Sequence, residues 1–149
     1  MIDNETGLIE EDFFYYLADF EVKRSKRYLN FSTLLLIEPD YDFKNGLDLK
    51  SIARILKEEF RDTDIIGRIN HSRFGIMLPY ADNKLSFFAG ERVRKTIGNY
   101  VFTEKKKVTI SIGGACFPTN GNERNELVSL AEHMLKKAKD KGGDHFYLP

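Results

Sequence analysis

The sequence lacks the features that mark several classes of protein. It has a single cysteine, Cys116, so no disulfide framework and no cysteine-based metal site can form within one chain. Cys116 lies in the apolar stretch SIGGACFP, which predicts a buried core thiol. No apolar run approaches the roughly 20 residues of a membrane-spanning helix. The acidic N-terminus, MIDNETGLIEEDFF, is unlike a signal peptide. We therefore expect a protein of the reducing cytoplasm.

Neither sign of charge is in excess. The 23 Lys and Arg residues balance 23 Asp and Glu residues, so the formal net charge is zero. The chain has no global basic field that would attract nucleic acid or anionic lipid. Hydrophobic residues make up 42% and charged residues 31% of the 149 residues, a composition typical of one soluble globular domain. We expect no nucleic-acid or membrane partner, and any anion site must be local.

The apolar pattern predicts four helices and five strands in the order α-β-α-β-β-α-β-α-β. Phe13, Phe14, Leu17 and Phe20 have helical spacing and predict a helix over residues 10–27. The run FSTLLLIEP is typical of a central strand that is covered on both faces. The other helices are predicted from apolar stripes within residues 49–60, 85–97 and 127–138, and the other strands from DIIGRIN, RFGIMLP, KVTISIGGACF and HFYL.

This order of elements predicts an α+β fold. The first two strands flank a helix, so we expect them to be parallel and joined by a right-handed crossover. The next two form a hairpin. Together they predict a ferredoxin-like βαββαβ core, with helices packed on a central mixed, mainly antiparallel sheet. Because that fold hosts many functions, the pattern alone does not name one.

Several segments, in the same order along the chain, resemble the GGDEF domain family, the diguanylate cyclases and their inactive relatives. DNETGL resembles the family's D-x-L-T-G-L, LLLIEPDYDFK its L-L-x-x-D-I-D-x-F-K, and VTISIGGA its V-T-x-S-I-G-x-A. GERVR resembles the helix with A-E-R-x-R, and AEHMLKKAKDKGGDHF resembles A-D-x-A-L-Y-x-A-K-x-x-G-R-N. The resemblance implies a bacterial signalling protein with the nucleotidyl cyclase-like fold, residues 1–149 being one GGDEF domain.

The family signature G-G-[D/E]-E-F falls on the hairpin turn, at Asn70, His71, Ser72, Arg73 and Phe74, which we call the signature turn. Only Phe74 matches. The resemblance implies that family members join two GTP molecules into cyclic di-GMP, using carboxylates that hold divalent metal ions. Here the turn has no carboxylate, Arg73 would repel a metal, and His71 would occupy space that the nucleotide needs. His71 itself is interpreted as a solvated turn residue, since no other histidine has ligand spacing with it.

Other substrate elements of the family are also changed. Its D-I-D becomes Glu38-Pro39-Asp40, which leaves Glu38 as a residual candidate for a metal ligand. Its G-H-x-x-G-D segment, which contacts guanine and ribose, is absent, and its phosphate-binding Lys and Arg become Lys139 and Gly143. We therefore expect a degenerate, catalytically inactive domain without a metal or cofactor. Mg²⁺ would be needed only under the least favoured alternative, an active diguanylate cyclase.

The resemblance extends to residues of the family's product-binding site. Many members carry an inhibitory R-x-x-D motif before the signature, where cyclic di-GMP binds as an intercalated dimer. RDTD supplies Arg61 and Asp64 at this place, and Arg92 matches a third arginine of the site. A guanidinium can fork onto a phosphate or a guanine edge, and a carboxylate can accept from guanine N–H groups. In the alternative interpretation, Arg61 and Asp64 only pair with each other or with Glu58 as a surface ion pair.

The sequence thus predicts an inactive domain that senses cyclic di-GMP through Arg61, Asp64 and Arg92, with a ligand-bridged homodimer as one consequence. The alternative is a dimerisation or regulatory domain that binds no nucleotide and docks on sensor or phosphodiesterase domains of a longer signalling protein. Since the domain follows the starting Met at once, we expect either a piece of such a protein or a very small protein.

Overall fold

The computed structural model describes residues 1–149 and contains one sheet with helices on both faces. The elements are β1 (Ile9–Glu10), α1 (Glu11–Tyr28), β2 (Ser32–Pro39), α2 (Gly46–Glu59), β3 (Ile65–Arg68), β4 (Phe74–Pro79), α3 (Asn83–Asn99), β5 (Ile110–Phe117), α4 (Arg124–Asp140) and β6 (Phe146–Tyr147). No helix is both long enough and apolar enough to cross a membrane.

The six strands lie in the order β1-β3-β4-β2-β5-β6. The four inner strands are joined by antiparallel pairs, and the two edge strands β1 and β6 pair in parallel with β3 and β5. Strands β2 and β3 are parallel with β4 between them, as the sequence predicts for a βαβ unit. The order β3-β4-β2-β5 is that of a ferredoxin-like core, so the predicted α+β fold with a mixed, mainly antiparallel sheet is confirmed.

The sheet separates two hydrophobic cores. Along β2, Leu35 and Ile37 face the core formed with α2 and α3, whereas Leu34 and Leu36 face the core formed with α1 and α4. This alternation explains why the strand is apolar at every position from Leu34 to Ile37, since a strand covered on both faces has no solvent side. Cys116 is fully buried on β5, as predicted.

Helix α4 packs directly on the backbone of β5. A Cβ atom on Gly113 would overlap the backbone of Ala131 and Leu135, so only a glycine permits this approach. Two further glycines end the helix beyond Asp140. Gly142 and Gly143 have positive φ angles of 103° and 79°, and their N–H groups donate to the last carbonyls of α4.

Three details of the elements differ from the sequence analysis. The two-residue strand β1 was not predicted, because two residues show no periodicity. The apolar spacing that predicts α1 does not mark its buried face: Phe14 is buried with Ala18 and Val22, whereas Phe20 is 61% exposed. Likewise, Leu85 and Phe88 of the predicted α3 stripe are exposed, while Val93 and Ile97 are buried.

Candidate functional site

The signature turn forms a tight hairpin connection without glycine. The side-chain oxygen of Asn70 accepts hydrogen bonds from the backbone N–H groups of Ser72 and Arg73, both at 3.0 Å. This Asx arrangement supplies the bend that glycines would otherwise allow. His71 is exposed, with its Nε2 3.5 Å from an oxygen of Asp42. Phe74, the one residue that matches the family signature, is fully buried and begins β4.

Glu38 is surrounded by cations. Nε of Arg73 donates to its Oε2 at 2.7 Å, and Nζ of Lys139 lies 3.1 Å from its Oε1. Arg73 also lies 3.4 Å from Glu132 on α4. Both carboxylate oxygens of Glu38 are therefore engaged by positive charge, and no cluster of three or more acidic, His or Cys residues with metal-binding geometry is present. The residues here do not fit Mg²⁺, which needs free carboxylate oxygens.

Asp40, the residue that directly follows β2, has a structural role. Its oxygens accept from the hydroxyls of Thr109 and Ser111 at 2.6 and 2.7 Å, and from the backbone N–H of Asp144 at 2.8 Å. These contacts join the end of β2 to β5 and to the turn after α4. Gly143 stands where a Cβ would lie 2.7 Å from the Asp40 carboxyl carbon. The residue at the family's arginine position is thus part of a close turn.

A buried arginine joins the N-terminal turn to the signature turn. Arg68 is 9% exposed, and its guanidinium contacts Asp3 at 3.1 Å and Glu5 at 2.6 Å. It also donates to the carbonyl oxygens of Asn70 and His71 at 3.2 and 2.8 Å. Burial alone would raise the pKa of Asp3, but hydrogen bonds from Thr6 and Arg68 outweigh it, so the pKa of Asp3 lies below its ordinary value.

Two carboxylates hold the short loop before α2, and each accepts hydrogen bonds from the segment that contains the other. Glu104 accepts from the backbone N–H groups of Lys44 and Asn45 at 2.8 and 2.6 Å. Asp48 in turn accepts from the N–H groups of Thr103 and Glu104 and from the Thr103 hydroxyl, at 2.8 to 3.0 Å. Desolvation would raise the pKa of the buried Asp48, yet these donors lower it. This clamp joins residues 44–48 to residues 103–104, where the family's guanine-contacting segment is absent.

Arg61, Asp64 and Arg92 line one cavity of about 210 Å³. We call it the Arg61 cavity. Arg61 follows α2, Asp64 precedes β3, and Arg92 is on α3, which packs against α2. The structure therefore brings together the three residues that the sequence singled out. Apolar side chains complete the wall, among them Phe60, Leu78, Leu85 and Phe88.

Asp64 fixes the position of Arg61 at the wall of this cavity. Its side chain is 1% exposed and accepts from the backbone N–H of Arg61 at 2.8 Å and from its Nη2 at 2.9 Å. Nη2 also donates to the carbonyl oxygen of Pro79 at 2.8 Å. Arg61 does pair with Asp64, as the alternative interpretation held, but the carboxylate is buried rather than solvated. Nη1 of Arg61 makes no hydrogen bond and remains available at the surface.

Arg92 is held on the opposite side of the cavity. Its Nε donates to the carboxylate of Glu59 at 2.9 Å, and its Nη2 donates to the Glu59 carbonyl oxygen. Helix α3 packs on α2, and Arg92 reaches the cavity over the C-terminal end of α2. Nη1 of Arg92 also makes no hydrogen bond.

Sequence reasoning missed three contributions to these sites. Phe88, 72% exposed at the rim of the Arg61 cavity, was assigned to the core stripe of α3. Arg68 joins the N-terminal turn to the signature turn, and Asp48 forms the clamp with residues 103–104. Neither was identified as a functional residue. Arg68 had one available signal, a charge placed inside an apolar hairpin strand. Asp48 had none, because its partners lie 55 and 56 residues away.

The chain is similar to the probable diguanylate cyclase DgcT of Escherichia coli (strain K12), with 29% identity over 99 residues, 63% of this chain and 22% of DgcT. It spans about a fifth to a third of the length of the curated relatives it matches.

Solved structures share the fold over almost the whole chain. The GGDEF domain of DgcB from Caulobacter crescentus, in complex with c-di-GMP, superposes with a TM-score of 0.90 and 14% identity, covering 99% of this chain and 92% of that one. The diguanylate cyclase SiaD from Pseudomonas aeruginosa, in complex with its activator SiaC, gives a TM-score of 0.88 and 26% identity, covering 99% and 61%. The family model described as "Diguanylate cyclase, GGDEF domain" matches residues 1–145, and the chain therefore belongs to the GGDEF domain family.

Proposed function

We propose that this domain binds cyclic di-GMP in the Arg61 cavity and does not catalyse its synthesis. The observation that carries the proposal is the convergence of Arg61, Asp64 and Arg92 on one cavity, with an unbonded Nη1 on each guanidinium. Each arginine is already held by a carboxylate, so little side-chain freedom is lost on binding. The c-di-GMP complex of the similarly folded DgcB domain supports this class of ligand.

The size of the cavity determines how such a ligand would bind. At about 210 Å³ it is smaller than typical small-molecule sites of about 300–1,000 Å³, so it admits one base or one phosphate of the ligand. The remainder would lie over the exposed rim, where Phe88 offers an aromatic face for stacking on guanine. A ligand that extends from the cavity in this way can contact a second domain, and on this basis we propose a ligand-bridged homodimer.

Catalytic silence is supported by the cations around Glu38. Arg73 and Lys139 engage both of its carboxylate oxygens, and the signature turn supplies no further carboxylate. A phosphoryl transfer that depends on metal ions held by carboxylates has no such ligand set here. The clamp between Asp48 and Glu104 also closes the region where family members hold the guanine.

Regulatory partners remain part of this proposal. Since the aligned residues make up only 22% to 33% of the curated relatives, sensor or phosphodiesterase domains in a longer protein are the partners to which a ligand signal would pass. The complex of SiaD with its activator SiaC is a precedent within the family for a protein partner. A cytoplasmic location is likewise proposed.

Isothermal titration with cyclic di-GMP tests the binding site. We expect binding at protein concentrations of tens of micromolar, and a loss of about 10- to 100-fold in affinity for Arg61→Ala, because one charge-assisted hydrogen bond contributes about 1.5–3 kcal/mol. Arg92→Ala should lose affinity similarly. Arg54→Ala is the matched control, since Arg54 lies on α2 and is ion-paired with Glu58 but does not line the cavity. Absent heat, or equal affinity in wild type and Arg61→Ala, overturns this site.

A separate assay tests catalytic silence. Purified domain is incubated with GTP and Mg²⁺ or Mn²⁺, and the products are separated by chromatography. We expect no cyclic di-GMP. Formation of cyclic di-GMP by the wild type, abolished in Glu38→Ala, would show that the domain is an active cyclase.

A further inference from the structure

A second depression adjoins the Arg61 cavity on the side of the N-terminal turn. It has a volume of about 320 Å³ and shares Arg61 and Asp64 with that cavity. The other residues that line it come from the N-terminal turn with β1, from the end of α2 and from β3: Gly7, Leu8, Ile9, Lys57, Asp62 and Ile66. We call it the Lys57 depression. The Arg61 side chain therefore borders two concave surfaces rather than one.

Lys57 offers this depression a cation that the protein itself does not use. It is exposed in the last turn of α2, and the two acids that follow it, Glu58 and Glu59, are paired with arginines on α2 and α3. Its Nζ lies 3.6 Å from the position that a Cβ on Gly7 would take, so the lack of a side chain at Gly7 leaves the ammonium open. A lysine ammonium with free N–H donors can bind a phosphate as a point charge.

Asp62 supplies the opposite charge at the same surface. It is exposed and makes no side-chain hydrogen bond, unlike the buried Asp64, whose oxygens are both engaged by Arg61. A free carboxylate accepts hydrogen bonds from the N1–H and N2–H groups of guanine, and it repels a bare phosphate. A guanylate has a phosphate for Lys57 and a base edge for Asp62, so it suits the depression better than an inorganic anion does.

We propose that one cyclic di-GMP molecule occupies both concave surfaces and that Lys57 binds its second half, an inference that rests on the proposed function. One half lies in the Arg61 cavity and at its Phe88 rim, a phosphate of the ligand faces Arg61, and the other half reaches the Lys57 depression. The second depression brings the available volume into the range of about 300–1,000 Å³ that is typical of small-molecule sites, which the Arg61 cavity alone does not reach.

This placement joins the ligand to the N-terminal turn as well as to α2 and α3. Residues 7–9 form one wall of the Lys57 depression, and β1 pairs with β3 beside it. A ligand confined to the Arg61 cavity would leave this wall untouched. The backbone amide of Gly7 is therefore a local reporter of whether the second half of the ligand is bound there.

Isothermal titration with cyclic di-GMP tests the role of Lys57. Lys57→Ala should bind about 5- to 20-fold more weakly than the wild type, a smaller loss than for Arg61→Ala, because the ammonium is exposed and screened by salt. Lys57→Arg keeps the positive charge and should recover most of the affinity, which a merely structural role would not require. Lys50→Ala is the matched control and should bind like the wild type, since Lys50 is exposed about two turns earlier on α2 and lines neither surface.

Nuclear magnetic resonance of the isotope-labelled domain locates the second half of the ligand. Saturating cyclic di-GMP should shift the amide resonance of Gly7 in the wild type, and the shift should be smaller in Lys57→Ala at equal occupancy. The amide of Gly142, beyond the end of α4 and outside both surfaces, should not shift and serves as the internal control.

The outcomes separate this inference from the proposed function. If the wild type binds cyclic di-GMP, three results each overturn the two-surface placement but leave binding in the Arg61 cavity intact: unchanged affinity in Lys57→Ala, an equal loss in Lys50→Ala, or a Gly7 resonance that does not shift. A loss in Lys57→Ala that Lys57→Arg does not recover contradicts the role given to the ammonium. A wild type that binds no cyclic di-GMP overturns both the placement and the proposed function.

Discussion

Arg73 and Glu38 form a direct ion pair, with Nε 2.7 Å from Oε2, between the residue before β4 and the end of β2. By the resemblance of the sequence to the family, these two positions correspond to carboxylates of the signature and of D-I-D. In this structure the first carries a guanidinium, and the carboxylate of the second is paired with it. The pair also joins two adjacent strands beside α4, where Lys139 and Glu132 extend it.

Removal of Arg73 should destabilise the fold. Glu38 is partly buried and would keep only Lys139 as a partner, so Arg73→Ala should lower the free energy of unfolding by about 1–3 kcal/mol. Urea denaturation measures the change. Arg54→Ala, which removes an exposed pair with Glu58, should change the free energy by less than about 1 kcal/mol. Equal losses in both variants would contradict a stabilising role for the Arg73 pair.

Divalent metals should not stabilise the wild type. Because both oxygens of Glu38 are engaged by cations, millimolar Mg²⁺ or Mn²⁺ should leave the thermal unfolding midpoint where NaCl of equal ionic strength leaves it. Arg73→Glu places a second carboxylate near Glu38, so this variant should gain a midpoint shift that grows with metal concentration. Differential scanning fluorimetry records both. A metal-dependent rise of the unfolding midpoint in the wild type would show that a metal can displace the cations from Glu38.

Arg68 should stabilise the N-terminal turn and the signature turn together. Arg68→Ala leaves a hydrogen-bonded Asp3 and two turn carbonyls without their donor, so we expect a loss of about 3–5 kcal/mol. Hydrogen exchange should accelerate at the amides of Thr6 and Arg73, which lie in the two turns. Lys84→Ala, an exposed substitution at the start of α3, should leave both amides unchanged. Faster exchange in only one turn would contradict the coupling.

The free energy of unfolding should depend on pH through the ionisation of Asp48. Its pKa is lowered in the folded protein by the donors of Thr103 and Glu104, despite burial. This stabilisation is fully present above the ordinary aspartate pKa of 3.8 and is lost as the pH falls through the lower folded value. The free energy of unfolding of the wild type should thus fall steeply below about pH 4.

Asp48→Asn isolates this contribution. The substitution should cost about 1.5–3 kcal/mol at neutral pH, because hydrogen bonds to a charged acceptor are lost. It should also make the acid dependence shallower. Asp62→Asn, at an exposed site without a hydrogen bond, is the control and should follow the wild-type curve. The same acid dependence in Asp48→Asn and wild type would contradict the assignment.

The sequence predicted the fold well where apolar residues face a single environment. The apolar residues 34–37 of β2 and the apolar stripe of α2 (Leu49, Ile52, Ala53 and Leu56) are buried as expected. The face of α1 was misplaced because its aromatic residues lie on both sides of the helix: Phe14 is in the core and Phe20 is in solvent. Spacing shows that residues share a face but not whether that face is covered.

For the candidate site, the sequence predicted the lining residues but not the groups that hold them in place. Arg61, Asp64 and Arg92 could be located from a local motif and one helix position, and the structure places them on a common cavity. The partners that hold them could not be predicted, since Arg92 is set by Glu59, 33 residues away, and Arg61 by a carbonyl 18 residues away. Such contacts depend on how helices and strands meet rather than on sequence spacing.

Substitution of Gly113 should disturb the ion pairs around the signature turn, although Gly113 takes no part in them. Because α4 rests on the bare backbone of β5 at this glycine, any side chain there would push the helix outward. The same helix carries Lys139 and Glu132, which meet Glu38 and Arg73. In a library of single substitutions, Gly113 should therefore be as intolerant as the charged residues themselves, although it lies in the middle of a strand and has no side chain to contribute.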